Sequence, residues 1–202
     1  MPINVSDFVS NFKGGGARPN LFEVICPVPS KITGVNGKGL QQALTYLCKA
    51  ASLPVSEVTK IAVPYRGRNI YVAGVRQFEE TWNTTVLNDV DFVTRRGLEN
   101  WMNQIHTHET NIGFTNLNDY SSNIAVRQLH HRDGRAIREY QFRQAWPSQI
   151  GAIDLAADSN DAVEEFEVQW AYSWWTVNGE LDERTTDPSL GEASRGLTEP
   201  TI

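Results

Sequence analysis

A long alternation of apolar and polar residues near the carboxyl end of the chain constrains its fold most. Residues 163–175 read VEEFEVQWAYSWW, in which every second residue is large and apolar and the residues between are mostly acidic or small. The apolar residues at alternate positions are Phe166, Val168, Trp170, Tyr172 and Trp174. A period of two is typical of a strand with one face in a core. The pattern predicts a half-buried strand whose other face meets water or a wet cavity.

Shorter alternations and explicit turn signals extend the strand pattern over the rest of the chain. The alternations cover residues 58–65, 69–75, 82–87, 124–130 and 139–146. Gly67, in YRGRN, and Asp133-Gly134, in RDGRA, separate such runs and predict hairpins, because these residue types tolerate a positive φ. Few stretches have helical spacing, so the predicted class is mainly antiparallel β, as a sandwich or a barrel.

One helix is predicted over about residues 89–106. Asn88 and Asp89 precede it as capping residues, and Asp91 lies in the first turn, where the helix dipole favours a negative charge. The apolar stripe has the spacing i, i+3, i+4, i+7 and comprises Leu98, Trp101, Met102 and Ile105. We expect this stripe to pack against another part of the chain.

The length of the chain and the distribution of its charge indicate one domain with a tail at each end. The 202 residues carry a net charge of −6. Residues 178–202 hold six acidic residues against two arginines and few large apolar residues, so we expect an acidic, flexible tail. Residues 1–20 are expected to form an amino-terminal arm, and residues 21–177 the β domain. The chain has no apolar run of about 20 residues and no secretory leader, so no membrane is expected.

Catalytic and metal-binding patterns are weak. The histidine pairs HTHE and LHHRDG lack the H-E-x-x-H spacing of a metalloprotease, and adjacent histidines in a strand would face opposite ways; the four residues are His106, His108, His130 and His131. Neither glycine-rich stretch has the order of a phosphate-binding loop. Cys26 and Cys48 lie in apolar surroundings and are expected to be reduced. We therefore expect no enzyme activity, no cofactor and no metal.

A predicted β domain with polar faces and exposed ends has open sheet edges, and assembly with identical copies is one way to remove them. The sequence resembles the tail tube proteins of contractile-tailed bacteriophages over roughly residues 7–175. The resemblance is carried in family order by ARPNLFEV (17–24), CKAASLP (48–54), IAVPYRGRNIYVAG (61–74), VLND (86–89), WPSQIGAIDLAADSND (146–161) and EFEVQWAYSWW (165–175), with Arg76, Phe78 and Trp82 between them.

This resemblance implies two packed antiparallel sheets with one flanking helix, and rings of six subunits stacked into a tube inside a contractile sheath. Implied partners are other copies of the chain and the sheath, baseplate and tail terminator proteins. The tape measure protein and double-stranded DNA would occupy the lumen without sequence-specific binding. The implied location is the tail of the virion, after assembly in the host cytoplasm.

The resemblance also implies roles for particular residues. The arm before the first strand would bind neighbouring copies through Phe8, Phe12, Arg18, Pro19 and Asn20, with glycines 14–16 as a hinge. Residues 27–43 depart from the compact family pattern and are expected to form an enlarged loop between the first two strands.

An acidic or neutral bore would let DNA slide, whereas a basic bore would hold its phosphates. The candidates for lumen-facing residues are Glu57, Asp154, Glu165 and Glu167.

Three alternative functions remain open at this point. A tube subunit of a phage-derived contractile injection or secretion apparatus would carry protein instead of DNA. A monomeric β-barrel would bind a ligand in an enclosed apolar pocket. A metal hydrolase would require His106 and His108.

Overall fold

The computed structural model describes residues 4–12, 16–158 and 162–178. The predicted acidic tail beyond Asn178 lies outside these residues, as do Gly14 and Gly15 of the predicted hinge. Four helices and nine strands occur within the described ranges. They are α1 (Val5–Asn11), β1 (Phe22–Ile25), α2 (Gly37–Leu47), β2 (Cys48–Ala51), β3 (Glu57–Tyr65), β4 (Arg68–Gln77), β5 (Thr81–Leu87), α3 (Val93–Ile105), α4 (Leu117–Tyr120), β6 (Ser122–Leu129), β7 (Ala136–Ile150), β8 (Glu165–Ala171) and β9 (Trp174–Asn178).

The strands form two antiparallel sheets that share β7. The first sheet has the order β1-β6-β7-β9, and the second has the order β7-β8-β5-β2. The strand changes sheets around Gln144, whose φ of 54° bends the backbone. Up to Arg143 β7 pairs with β9, and from Trp146 it pairs with β8. The predicted class, mainly β with two antiparallel sheets, is confirmed.

The core lies between the two sheets and under the helices. Trp82 of β5 stacks on Phe142 of β7, with ring centroids 4.5 Å apart, and so joins one sheet to the other. Trp101 of α3 meets Trp170 of β8 edge to face at 6.0 Å. Its indole nitrogen donates a 2.8 Å hydrogen bond to the Tyr120 carbonyl, which satisfies the one polar atom of a fully buried side chain.

The alternation over residues 163–175 belongs to two strands and not to one. Phe166, Val168 and Trp170 are buried on one face of β8, as predicted. The chain leaves β8 after Ala171, and β9 pairs with β7 in the other sheet. Because the strand is interrupted, Trp174 does not continue the buried row and is 41% exposed.

Helix α3 begins later than predicted. It starts at Val93, and Phe92 before it has a left-handed φ of 53°, so Asp91 lies outside the first turn. Asp89 still accepts a 3.3 Å hydrogen bond from the Val93 amide.

Three of the four residues in the predicted apolar stripe of α3 are buried in the core. Leu98, Trp101 and Ile105 are buried, whereas Met102 is half-buried.

Helix α2 occupies residues that were predicted to be an enlarged loop. The loop ends at Asn36, whose side chain accepts a 3.1 Å hydrogen bond from the Gly39 amide and caps the helix. Leu40 and Leu44 then enter the core. The prediction of one flanking helix therefore missed α2, which packs against α3.

Candidate assembly surfaces

The hairpin β3–β4 stands apart from both sheets. The two strands pair only with each other, through a two-residue turn in which Arg66 and Gly67 have φ of 47° and 76°. The cross-strand pairs Ile61–Val72 and Val63–Ile70 lie on one face. These four side chains, here called the apolar hairpin face, are 44 to 53% exposed. A contiguous exposed apolar patch on a soluble chain is typical of an interaction surface.

The outer edges of the hairpin are also unpaired. Neither β3 nor β4 has a second strand partner among the described residues, so each presents a row of free amide and carbonyl groups. A two-stranded hairpin has marginal stability by itself in water. The hairpin therefore has both an apolar face and two edges that another chain could cover.

Trp175 of β9 holds the base of the hairpin. Its ring lies edge to face with Phe78 at 6.1 Å and with Tyr140 at 5.8 Å, and the Arg76 guanidinium lies 6.0 Å above it. Arg76 also donates a 2.7 Å hydrogen bond to the Ser56 hydroxyl at the start of the hairpin. These contacts fix the hairpin against the first sheet.

The amino-terminal arm presents a second apolar surface. Helix α1 and its C-cap residue carry an exposed apolar row with helical spacing, comprising Val5, Phe8, Val9 and Phe12, and no residue of the helix is buried. Phe8 and Phe12 stack on each other at 5.5 Å. The row, here called the arm stripe, has the i, i+3, i+4, i+7 pattern of a helix that packs on a partner.

The arm joins the domain at the turn formed by Arg18, Pro19 and Asn20, all of which are exposed. The Arg18 carbonyl accepts a 3.2 Å hydrogen bond from the Leu21 amide and a 2.6 Å hydrogen bond from the Gln128 side chain. These two bonds tie the turn to β1 and β6.

Two of the predicted lumen residues share one face of β8. Glu165 and Glu167 are exposed on the side away from the core, where Glu167 lies opposite Thr85 of β5. Lys49 forms an ion pair with Glu165. Because both partners are about half exposed, this pair contributes about 0–1 kcal/mol at most.

The other two predicted lumen residues lie elsewhere. Asp154 is exposed in the segment after β7 and lines an open cleft of about 580 Å³ together with Glu165. Glu57 opens β3, opposite Gln77, and belongs to the hairpin. The structure thus brings Asp154, Glu165 and Glu167 to one region and places Glu57 on a separate element.

An ionic row crosses the first sheet on its outer face. Arg127 of β6 lies between Glu139 of β7, at 2.5 Å, and Glu23 of β1, at 3.6 Å. The hydrogen bond that Arg127 donates to Glu139 is the largest cause of a raised pKa of Arg127, so the guanidinium stays charged. The row links three neighbouring strands.

The thiols are poorly suited to catalysis. Both cysteines are free. Burial raises the pKa of the Cys26 thiol far above its ordinary value, and burial raises the pKa of Cys48 to about 11. Since the thiolate is the nucleophile, both thiols are inert near neutral pH.

The histidines form no metal site in the described part of the chain, where no three metal-ligating side chains converge. His106 follows the last residue of α3 in extended conformation, and His108 lies in the turn beyond it. The prediction that His130 and His131 face opposite sides of a strand is wrong. Because β6 ends at Leu129, both lie in the following loop, and their rings are 4.8 Å apart.

Comparison with known proteins decides the family. Residues 17–178 match the family described as phage tail tube protein. The chain belongs to this family. Tail tube protein gp19 of Enterobacteria phage T4 is 33% identical over 173 residues, which cover 85% of this chain and 98% of that protein. The tail tube protein of Serratia phage KSP90 is 24% identical over 161 residues, covering 79% of this chain and 88% of that protein.

Solved structures show the same fold at lower identity. A chain of the sheath-tube complex of the extracellular contractile injection system PVC superposes with a TM-score of 0.54 at 13% identity, covering 85% of this chain and 97% of that chain. A chain of the anti-feeding prophage cap gives a TM-score of 0.54 at 14% identity, covering 82% and 92%. The family recognised from sequence is confirmed, and the chain is a structural component of a phage tail. None of the helices in the described residues could cross a membrane.

Proposed function

We propose that this chain builds the inner tube of a contractile phage tail by closing into rings of six subunits that stack around a central bore. Membership in the family supports a role as a tube subunit. The hairpin, which pairs with no other strand, is the observation that supports assembly through contacts between copies. When a neighbouring copy covers the apolar hairpin face, the burial stabilises the assembly by about 25 cal/mol for each Å² of apolar surface removed from water. Contacts between copies therefore complete the hydrogen bonding and burial that one chain leaves open.

The arm supplies the matching surface. The arm stripe is apolar, exposed and about 10 Å long at 1.5 Å per helical residue; its Phe12 ring lies against Gly16. The apolar hairpin face extends over about 7 Å of each strand at 3.3 Å per residue. We expect Phe8 and Phe12 to dock on the hairpin of a neighbouring copy, with the turn Arg18, Pro19 and Asn20 setting the direction of the arm.

The bore is expected to be acidic or neutral. The outer face of β8, with Glu165 and Glu167, is the leading candidate for its wall, and Asp154 would lie at its margin. Such a wall repels the phosphates of double-stranded DNA and lets DNA slide past without sequence-specific binding. The tape measure protein would fill the same bore before DNA passes. Glu57, at the start of the hairpin, is a further candidate for the wall of the bore.

The other proposed partners are the sheath, baseplate and tail terminator proteins, and no enzymatic step belongs to this role. A contractile injection apparatus that carries protein is the second candidate, because solved relatives of that kind share the fold. The phage tail is favoured because the T4 tail tube protein is far closer in sequence.

Charge substitution on the hairpin tests the assembly. Val63→Asp with Ile70→Asp places two carboxylates on the apolar hairpin face, where both side chains are already about half exposed. We expect a folded chain with a nearly unchanged melting temperature that no longer sediments as tubes. Val90→Asp is the matched control, since Val90 is almost fully exposed away from the hairpin. Undiminished tube formation by the double variant would contradict the proposed interface.

A further inference from the structure

Positive charge in this acidic chain is concentrated where β7 begins. Residues 130–138, which form the loop before β7 and its first turns of sequence, hold Arg132, Arg135 and Arg138 with a single carboxylate, Asp133. Asp133 is already engaged twice, by His130 Nδ1 at 3.0 Å and by Arg135 Nε at 3.3 Å. Arg132 and Arg138 have no carboxylate partner among the described residues, so positive charge remains in excess here.

The surroundings of Arg138 favour a negatively charged partner at this end. Arg138 is half-buried over the Tyr140 ring at 5.2 Å, and its Nε is buried without a hydrogen-bond partner. A partly desolvated guanidinium that lacks an acceptor is costly. The hydrogen bond from the Gln128 side chain to the Arg18 carbonyl brings a further arginine to the same place. Residues 130–138 together with Arg18 are here called the basic end of β7.

A concave acidic region lies beyond the other end of the same strand. The open cleft of about 580 Å³ that follows β7 is lined by three carboxylates, Asp154, Glu164 and Glu165, and none of its described lining residues is basic. Glu165 pairs with Lys49, and Glu164 accepts a 2.8 Å hydrogen bond from the Asn88 amide. Asp154 is exposed and has no hydrogen-bond or ion-pair partner among the described residues. We call this region the acidic cleft.

The length of β7 keeps the two regions apart in one chain. The strand has 15 residues, which would span about 46 Å at 3.3 Å per residue if it were straight, and it bends at Gln144. No residue of the basic end lines the acidic cleft. A contact between the two regions therefore joins two copies. Because two different patches meet, such a contact is heterologous, and it repeats without limit unless it closes into a ring.

We propose that the basic end of β7 in one copy docks in the acidic cleft of a copy in the next ring, with Arg132 beside Asp154. The charges are complementary, and the exposed turn around Gly134, whose φ is 68°, projects from the sheet as the convex partner of a concave cleft. The inference rests on the proposed function, since it requires rings that stack. The apolar hairpin face and the arm stripe serve the contacts within a ring, because permanent interfaces are the more apolar ones.

This contact sets the direction of stacking. A ring placed the wrong way round would bring two basic ends or two acidic clefts together, and like charges across an interface are unfavourable. The contact is also sensitive to salt, because the screening length falls to about 3 Å at 1 M ionic strength. High salt should therefore separate rings from one another before it breaks a ring.

Charge reversal with rescue tests the pairing. Arg132→Glu alone and Asp154→Arg alone each place like charges in contact, so we expect the fraction of chains that sediment as tubes to fall several-fold while single rings remain. The chain with both changes restores opposite charges and should recover tubes. Arg96→Glu and Glu109→Arg, at exposed positions outside both regions, are the matched controls and should assemble normally. Normal assembly of both single variants, or no recovery in the double variant, would overturn the pairing.

Thiol crosslinking locates the contact in the tube. Chains with Arg132→Cys and chains with Asp154→Cys, mixed in equal amounts and treated with a short bismaleimide, should give covalent dimers that neither chain gives alone. The chain with both changes should give a covalent ladder that continues beyond six subunits, since a column through stacked rings has no fixed length. The unaltered chain, with its free Cys26 and Cys48, measures background coupling. A ladder that stops at six would overturn the placement between rings.

Electron microscopy of the same samples separates this inference from the proposed function. Tubes that form in the mixture without covalent dimers would overturn the contact and leave the tube role standing. Covalent dimers in samples of the unstacked chain, with neither rings nor tubes, would overturn the tube role and with it the placement between rings.

Discussion

Individual residues explain why the two helices can pack together. Gly97 of α3 faces Leu40 of α2, and a Cβ at position 97 would lie 2.9 Å from both Leu40 methyl carbons. A glycine inside a helix costs stability, and a close helix contact is one reason for it. The partner helix, α2, could not be identified from the sequence, because residues 27–43 were predicted to be a loop.

Gly97→Val tests this contact. The added side chain would overpack against fully buried Leu40, so we expect the free energy of unfolding to fall by about 1–3 kcal/mol. Arg96→Val is the control, because it places the same side chain on the exposed face of the helix. Denaturant unfolding of both variants measures the difference. Equal stability would show that α2 and α3 do not meet closely at position 97.

The buried thiols predict a pH dependence of stability. In the folded chain the pKa of Cys48 is raised to about 11 by burial, and that of Cys26 is raised further. An unfolded thiol ionises near pH 8.5 to 9. Because the folded state favours the neutral thiol, this contribution to stability is complete below about pH 8.5 and is lost as the pH rises toward 11.

We therefore expect Cys48→Ala to lose less stability than the unaltered chain does between pH 8.5 and 11. Denaturant titrations at a series of pH values measure the slope. Cys26 is kept in both proteins, so the difference reports Cys48 alone. Identical slopes would show that Cys48 is not shielded from water in the folded chain.

At the scale of elements, the turn signals correctly paired β3 with β4 and β6 with β7, but periodicity did not show which strands join the core. The alternations at residues 58–65 and 82–87 are alike in sequence, yet β5 is a central strand of the core and β3 stands in solvent. A period of two shows only that one face is apolar. Whether a sheet or another subunit covers that face depends on contacts far apart in sequence.

The same limit explains the errors in the helices and the carboxyl-terminal strand. Helix α2 was missed because residues 27–43 include three glycines and two prolines, which are typical of loops. The break between β8 and β9 was missed because Tyr172 and Ser173 preserve the alternation. Local pattern cannot distinguish one long strand from two strands in different sheets.

Trp175 provides a test at the scale of the hairpin. Trp175→Leu removes the edge-to-face contacts with Phe78 and Tyr140, each worth about 0.5–1.5 kcal/mol, and frees the hairpin base. We expect the domain to stay folded while the fraction of chains that sediment as tubes falls. Trp174→Leu, at the neighbouring and more exposed tryptophan, should assemble normally. Equal assembly by the two variants would show that Trp175 does not orient the hairpin.

At the scale of the whole molecule, the family, the fold class and the candidate arm followed from sequence, whereas the exposed hairpin did not. The ordered motifs from ARPNLFEV to EFEVQWAYSWW identified the family that residues 17–178 match. The four acidic lumen candidates remain a prediction, because one chain does not define a bore. One surface emerged only in three dimensions, the apolar hairpin face.

The central claim is that identical copies of this chain assemble around a hollow axis and cover the surfaces that a single copy leaves exposed. Cryo-electron microscopy of the purified, unaltered chain across a range of concentrations tests it most directly. The account predicts six-fold rings or stacked hollow tubes, with the hairpin of each subunit covered by a neighbour and no net positive charge on the wall of the bore. Isolated globular particles at every concentration, or tubes in which the hairpin remains in solvent, would contradict it.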